Sequence, residues 1–197
     1  MHFDAVTESK SRLFSLLQEK SIFYGDFLLA SGRRSHYYID CRLTTLDPEG
    51  AWLIGEVMHS LICVEARERQ TKVDAIGGLT MGADPIALAT AIFSYSKKDA
   101  PPLRPFVVRK EAKGHGQTKL IEGSFKSGDT VVVLDDVVTR GDSTIKAMET
   151  IVQAGGKIAF AAVLVDRQEG GRQNIEKLGY PLISVFTRDE LVREAKT

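Results

Sequence analysis

The sequence predicts an α/β fold: a central parallel sheet of about five strands flanked by helices, with a small N-terminal hood. Three observations carry this expectation. Five short runs, Val73–Gly77, Pro105–Val108, Thr130–Leu134, Ile158–Val165 and Leu182–Phe186, are nearly continuous in apolar character, as strands covered on both faces must be. Helical patterns alternate with them, which is the signature of a doubly wound domain. Roughly the first forty residues break that rhythm.

Taken in chain order, Ser11–Glu19 reads as an amphipathic helix with Leu13, Leu16 and Leu17 on one side. Ile22–Leu29 and His36–Cys41 then read as two extended segments joined across Ala30-Ser31-Gly32-Arg33-Arg34, a turn signal with glycine. These elements make the hood, about residues 1–45, as a cap over the sheet; the core covers about residues 46–197 of what reads as a single domain. A helix over about Pro48–Glu68 leads into the core. Pro85–Phe93, Ser143–Ala154 and the shorter Arg172–Leu178 supply the crossover helices. Lys110–Gly128 is different: polar, glycine-rich, and placed between two core strands where a compact crossover is expected. Loops of that length are more often functional than merely connecting, so this segment is the first candidate for a lid.

Twenty-six basic residues balance twenty-six acidic ones, which argues against a protein that holds nucleic acid mainly through phosphate contacts. No apolar run approaches the roughly 20 residues needed to span a bilayer. Met1–Lys20 is mixed and charged, without the pattern of a secretory leader. Cys41 and Cys63 share no metal-ligand spacing with each other or with the four histidines, and read as reduced packing residues of a cytoplasmic protein.

The chemistry concentrates first in Val131–Thr144. An apolar strand delivers Asp135 and Asp136 to a sheet end, where adjacent carboxylates are costly unless something binds them. In open α/β sheets ligands sit beyond the carboxyl ends of the strands, and two neighbouring acids there suit the vicinal hydroxyls of a ribose. Thr139-Arg140-Gly141-Asp142-Ser143-Thr144 then runs into a helix, offering a tight turn, exposed backbone N–H groups and hydroxyls: a cradle for a phosphate monoester. There is no Walker A sequence and no GxGxxG fingerprint. The segment resembles the phosphoribosyl-diphosphate (PRPP) signature of type I phosphoribosyltransferases.

The second segment is Arg109-Lys110-Glu111-Ala112-Lys113-Gly114-His115-Gly116. Its four potentially cationic groups suit a highly charged anion such as pyrophosphate. It resembles the Arg-Lys-x-x-Lys-x-His-Gly loop of orotate phosphoribosyltransferases, which in that family closes over the neighbouring subunit's site and so implies a homodimer with shared active sites. Further segments agree with that resemblance. Phe27–Asp40 resembles the family's hood, with Tyr38 matching an aromatic near the pyrimidine. Gly77-Gly78-Leu79-Thr80-Met81-Gly82-Ala83-Asp84-Pro85 resembles the loop that holds pyrophosphate through backbone groups. Arg167, in Asp166-Arg167-Gln168-Glu169-Gly170-Gly171, matches the family's orotate-binding arginine, and a planar guanidinium grips a carboxylate through two parallel hydrogen bonds. Two departures stand out: Ala30 and Met81 occupy places where many family members carry lysine.

The resemblance implies a reaction in de novo pyrimidine (UMP) synthesis, joining orotate to the 5-phosphoribosyl group of PRPP to give orotidine 5′-monophosphate and pyrophosphate. It implies Lys113, His115, Asp135 and Asp136 as the catalytic residues. PRPP falls to Arg109, Lys110, Lys113 and His115, to Asp135 and Asp136, and to Val137, Val138, Thr139, Arg140, Gly141, Asp142 and Ser143. Orotate falls to Thr139, Arg167 and Tyr38. The implied cofactor is Mg2+, held by PRPP oxygens with no direct protein ligand assigned. The implied partners are the two substrates and a second copy of the chain, with neither nucleic acid nor membrane. Two alternatives stay open: a phosphoribosyltransferase for another base, and a regulator of the same fold that binds PRPP as a signal.

Overall fold

Strands covered on both faces must find helices on both sides, and they do. The structure, a computed structural model, describes residues 2–28, 32, 34–98, 101–111 and 120–192, apart from the side chains of residues 2–5. Among these residues the chain runs through α1 (His2–Lys20), β1 (Ile22–Leu28), β2 (Arg34–Ile39), α2 (Arg42–Thr45), α3 (Pro48–Glu68), β3 (Ala75–Leu79) and α4 (Ala83–Ser96). It continues through β4 (Arg104–Val108), β5 (Ile121–Gly123), β6 (Thr130–Val138), α5 (Asp142–Gln153), β7 (Lys157–Asp166), α6 (Gly171–Glu176), β8 (Leu182–Thr187) and α7 (Arg188–Leu191).

β1 and β2 form an antiparallel pair, and the other strands form one sheet in the order β5-β4-β3-β6-β7-β8. All its neighbours are parallel except β4 and β5. From β3 the chain crosses one way to β4, then the other way to β6, β7 and β8. The gap between the carboxyl ends of β3 and β6 is therefore the topological switch point, where this architecture takes its ligand.

The pleat sorts the core. Ile76, Val132, Leu134, Phe160 and Ala162 face a cluster with α1, α3 and α4; Ala75, Val131, Val133, Ala161 and Val163 face the other way, with Ala147, Met148 and Ile151 of α5. Leu13, Leu16 and Leu17 of α1 belong to the first cluster, so the hood shares the core of the sheet instead of resting on it. α3 starts where a helix should: the Asp47 side chain accepts from the backbone N–H of Glu49 and Gly50, and Pro48 takes the first helical position.

The structure departs from the sequence-based expectation in several places: α1 starts earlier, at His2, β2 lies at Arg34–Ile39 instead of His36–Cys41, and the central sheet differs as well. The sheet has a sixth strand, β5, inside the segment expected to be an uninterrupted loop; it pairs antiparallel with β4 through Val108↔Ile121, Val107↔Glu122 and Phe106↔Gly123. β6 runs on to Val138 instead of ending at Leu134, because β7 stays alongside it as far as Val138↔Asp166. β3 lies at Ala75–Leu79, two residues further along than Val73–Gly77, drawn by its register with β4, Leu79↔Val108. No helix among the described residues is long and apolar enough to cross a membrane.

Candidate active site

Because β6 is extended, Asp135 and Asp136 are strand residues, and their carboxylates converge: both Oδ1 atoms lie within 2.6 Å of where a Cβ on Gly82 would stand. Asp135 turns towards α5 and is 4% exposed. Its Oδ2 accepts from Ser143 Oγ at 2.7 Å and Thr144 Oγ1 at 3.0 Å, and its Oδ1 from the Asp136 backbone N–H at 3.1 Å. Burial nevertheless raises this carboxyl to about 7, with neighbouring Asp136 adding to the shift and the two hydroxyls opposing it. Asp136 lies on the hood side, half-buried, and accepts from the Val137 N–H at 2.9 Å. Burial raises it as well, while the Val137 N–H, the Asp135 carboxyl and, less strongly, the charge of Arg42 pull the other way.

The turn from β3 into α4 presses on both carboxylates. A Cβ built on Gly82 would lie 2.5 Å from Asp136 Oδ1 and 2.6 Å from Asp135 Oδ1, so a larger residue there must push the carboxylates aside. The Thr80–Met81 peptide in this turn is cis, and Thr80 Oγ1 donates to Asp84 Oδ2 at 2.7 Å.

After β6 the chain makes a short loop into α5. Gly141 takes φ 87°, a left-handed conformation natural to glycine, at the N-cap of α5, and no side chain caps the helix there. The first N–H groups of α5 thus keep their donor capacity for a ligand. The loop is held from behind: the Gly171 N–H donates to Thr139 O at 2.9 Å, and Asn174 Nδ2 to Arg140 O at 3.0 Å. Thr139 is half-buried, while Arg140 and Asp142 are exposed. The Ser143 hydroxyl, expected to face a phosphate, donates instead to Asp135. Val137 and Val138 contribute backbone within β6, and Val138 O accepts from the Arg167 N–H at 2.9 Å.

That last bond places Arg167 beside the cradle, just beyond β7. Its side chain is mostly buried, with one guanidinium nitrogen 2.8 Å from Glu169 Oε1, and its Nε is buried without a hydrogen-bond partner. A buried donor left open is expensive, so this atom points to a ligand. The guanidinium stands 5.8 Å from the ring centroid of Tyr37. Tyr38, the sequence-based match, is on the other face of β2, packed on Phe27 with centroids 5.8 Å apart. Arg42 reaches both Tyr38 and Asp136 electrostatically. Cys41 links the two halves of the site: burial pushes its thiol well up, with the charge of Asp136 adding and that of Arg167 opposing.

Arg109 and Lys110 sit at the mouth of the expected lid. The Arg109 N–H donates to Leu120 O at 2.8 Å, closing the β4–β5 stem, and its guanidinium lies 3.6 Å from Glu122 Oε1. Lys110 O accepts from Lys146 Nζ of α5 at 3.0 Å, so the stem is tied to the helix that begins the cradle. Lys113, His115 and Ala30 lie outside the described residues.

An orotate phosphoribosyltransferase of Aquifex aeolicus (strain VF5) is 45% identical to this chain over 186 residues, 93% of this chain and 97% of that protein. The chain belongs to the orotate phosphoribosyltransferase family. The crystal structure of Mycobacterium tuberculosis H37Rv orotate phosphoribosyltransferase in complex with Fe(III) dicitrate matches with a TM-score of 0.80 at 35% identity, covering 94% of this chain and 99% of that one. The same enzyme in complex with PRPP matches with a TM-score of 0.73 at 30% identity, covering 94% and 92%. No protein-family model matches the chain.

Sequence reasoning pointed to the switch-point carboxylates, the cradle, Arg167 and the Gly77–Pro85 loop that contains Gly82, but singled out Tyr38 in place of Tyr37 and passed over Arg42. Gly82 had a signal, being a glycine between a strand and a helix. Tyr37 and Arg42 had none, because which face each presents depends on how β2 and α2 dock.

Proposed function

We propose that the chain transfers the 5-phosphoribosyl group from PRPP to orotate, giving orotidine 5′-monophosphate and pyrophosphate, as a step of UMP synthesis. The observation that carries the reading is Arg167: a mostly buried guanidinium with an open Nε, next to a ribose-phosphate cradle at the switch point. A carboxylate-bearing base satisfies that donor, whereas a neutral purine offers it no charge.

Breaking the bond between C1′ and the pyrophosphate oxygen builds positive charge on the ribose and negative charge on the leaving group. The α5 N-terminus and the Thr139–Ser143 loop anchor the 5′-phosphate, and the carboxylate side of β6 favours the cationic ring. Arg109, Lys110, Lys113 and His115 close over the pyrophosphate and exclude water. Arg167 fixes the orotate carboxylate and so aims its ring nitrogen at C1′. In this reading magnesium arrives with PRPP, with no direct protein ligand assigned. When bound, the ion offsets charge on the diphosphate.

We also propose a homodimer with shared sites in the cytoplasm. Leu88, Ile92 and Tyr95 form an exposed apolar face on α4, continued by exposed Trp52 of α3, which suits a second copy of the chain. Mixing a Lys113→Ala chain with an Arg167→Ala chain tests the sharing: activity recovered on mixing supports it, and none contradicts it. Pyrophosphate release from PRPP and magnesium with a panel of bases tests the function, and release with orotate is the expected result. Release only with a purine favours the other-base alternative; tight PRPP binding without release favours the regulator.

A further inference from the structure

Two carboxylates adjacent in sequence are not equivalent in space. Asp135 is directed into α5, where Thr144 is 1% exposed and Ser143 half-buried, and both hydroxyls meet the same oxygen, Oδ2. Its other oxygen accepts from the Asp136 N–H and, like the Asp136 Oδ1, faces the Gly82 turn. Asp136, half-buried near Cys41 and Arg42, accepts from the Val137 N–H and interacts with the Asp135 carboxyl.

Resting on the reading above, we infer that Thr144 and Ser143 are positioning residues, which hold Asp135 ionised and oriented beside Asp136 at the ribose site. The cradle and the carboxylates are thereby one unit, since the residues that open α5 beneath the 5′-phosphate are those that grip Asp135. The groups around Asp135 are few. β6 supplies Asp136; α5 supplies the two hydroxyls and, at its exposed start, Asp142; the β3–α4 turn supplies the Gly82 backbone; β7 supplies apolar Val163 opposite it. Against burial that favours the protonated form, two hydroxyl donors are the main counterweight.

The test is kcat/KM for PRPP as a function of pH, with orotate saturating, from about pH 5 to about pH 9, because this parameter reports the free enzyme's ionisations. Thr144→Val removes one donor to a carboxylate, which raises its pKa. The acid limb of the profile then moves up by about one pH unit, and Thr144→Ser returns it to the wild-type position. Ser143→Ala shifts the limb in the same direction. A merely structural threonine would lower the melting temperature and scale the whole profile without moving the limb. An unmoved limb in Thr144→Val, or a Thr144→Ser profile that stays with the valine variant, overturns the inference. Wild-type protein without turnover on orotate would instead overturn the function on which it rests.

Discussion

Gly82 and Asp135 stand so close that a single methyl group on Gly82 would lie 2.6 Å from the Asp135 Oδ1. The contact joins the turn after β3 to the end of β6 across the switch point and sets the depth of the ligand site there. Gly82→Ala must push one of them aside, and displacement of about 1 Å at a reacting centre costs about 100-fold in rate. Steady-state kinetics on a Gly82→Ala variant that still melts cooperatively should show that loss. Activity near wild type would mean that the turn has room to spare.

Arg167 carries the acceptor. Its replacement by alanine removes a charge-assisted hydrogen bond to a carboxylate, worth about 1.5–3 kcal/mol, so KM for orotate should rise roughly 10- to 100-fold. KM for PRPP should hardly change. Arg167→Lys should not restore affinity, because an ammonium lacks the planar fork. Equal losses for both substrates would contradict the assignment.

Asp135 couples the site to stability. Its carboxyl is raised in the folded state to about 7, above the ordinary carboxylate range. The folded chain therefore holds this proton more tightly than the unfolded chain. The resulting stabilisation is present below about pH 4 and is lost as the pH rises towards and through about 7. Asp135→Asn removes the buried charge, keeps an oxygen for the Asp136 N–H and offers its amide to the two hydroxyls. It should melt higher than wild type at pH 8, by an amount that shrinks on acidification, while losing turnover. A wild-type advantage at pH 8 would show that the ionised group is better satisfied than its surroundings indicate.

Lys113 tests the lid. Lys113→Ala should lower turnover strongly and leave the unfolding transition in place, because the stem is fixed by Arg109, Leu120 and Lys146 without it. Wild-type turnover in this variant would take the loop out of the mechanism.

These residues also mark how far the sequence could be read. α3 was legible to the residue, because Asp47 and Pro48 are local start signals and the apolar pattern behind them is long. The core of β6 was legible from its valines, but its last four residues were not, since they are strand only by virtue of pairing with β7. β5 was illegible for the same reason: Ile121-Glu122-Gly123 has no strand pattern of its own and is ordered by the free edge of β4. In the candidate site, Asp135, Asp136 and Arg167 were proposed by type and position, and the structure puts them at the ends of β6 and β7. Their surroundings were not legible, because which hydroxyls meet Asp135 depends on how α5 docks, and a one-residue alternation in β2 gives Arg167 the ring of Tyr37 while Tyr38 packs on Phe27.

The most direct test of the central claim is a competition. The protein is incubated with PRPP, magnesium and an equimolar mixture of orotate, uracil, hypoxanthine and adenine, and the nucleotide formed is identified by mass. The account predicts orotidine 5′-monophosphate as the dominant product, and its disappearance from the mixture in the Arg167→Ala variant. A purine nucleotide as the main product, or orotidine 5′-monophosphate formed undiminished without Arg167, would contradict it.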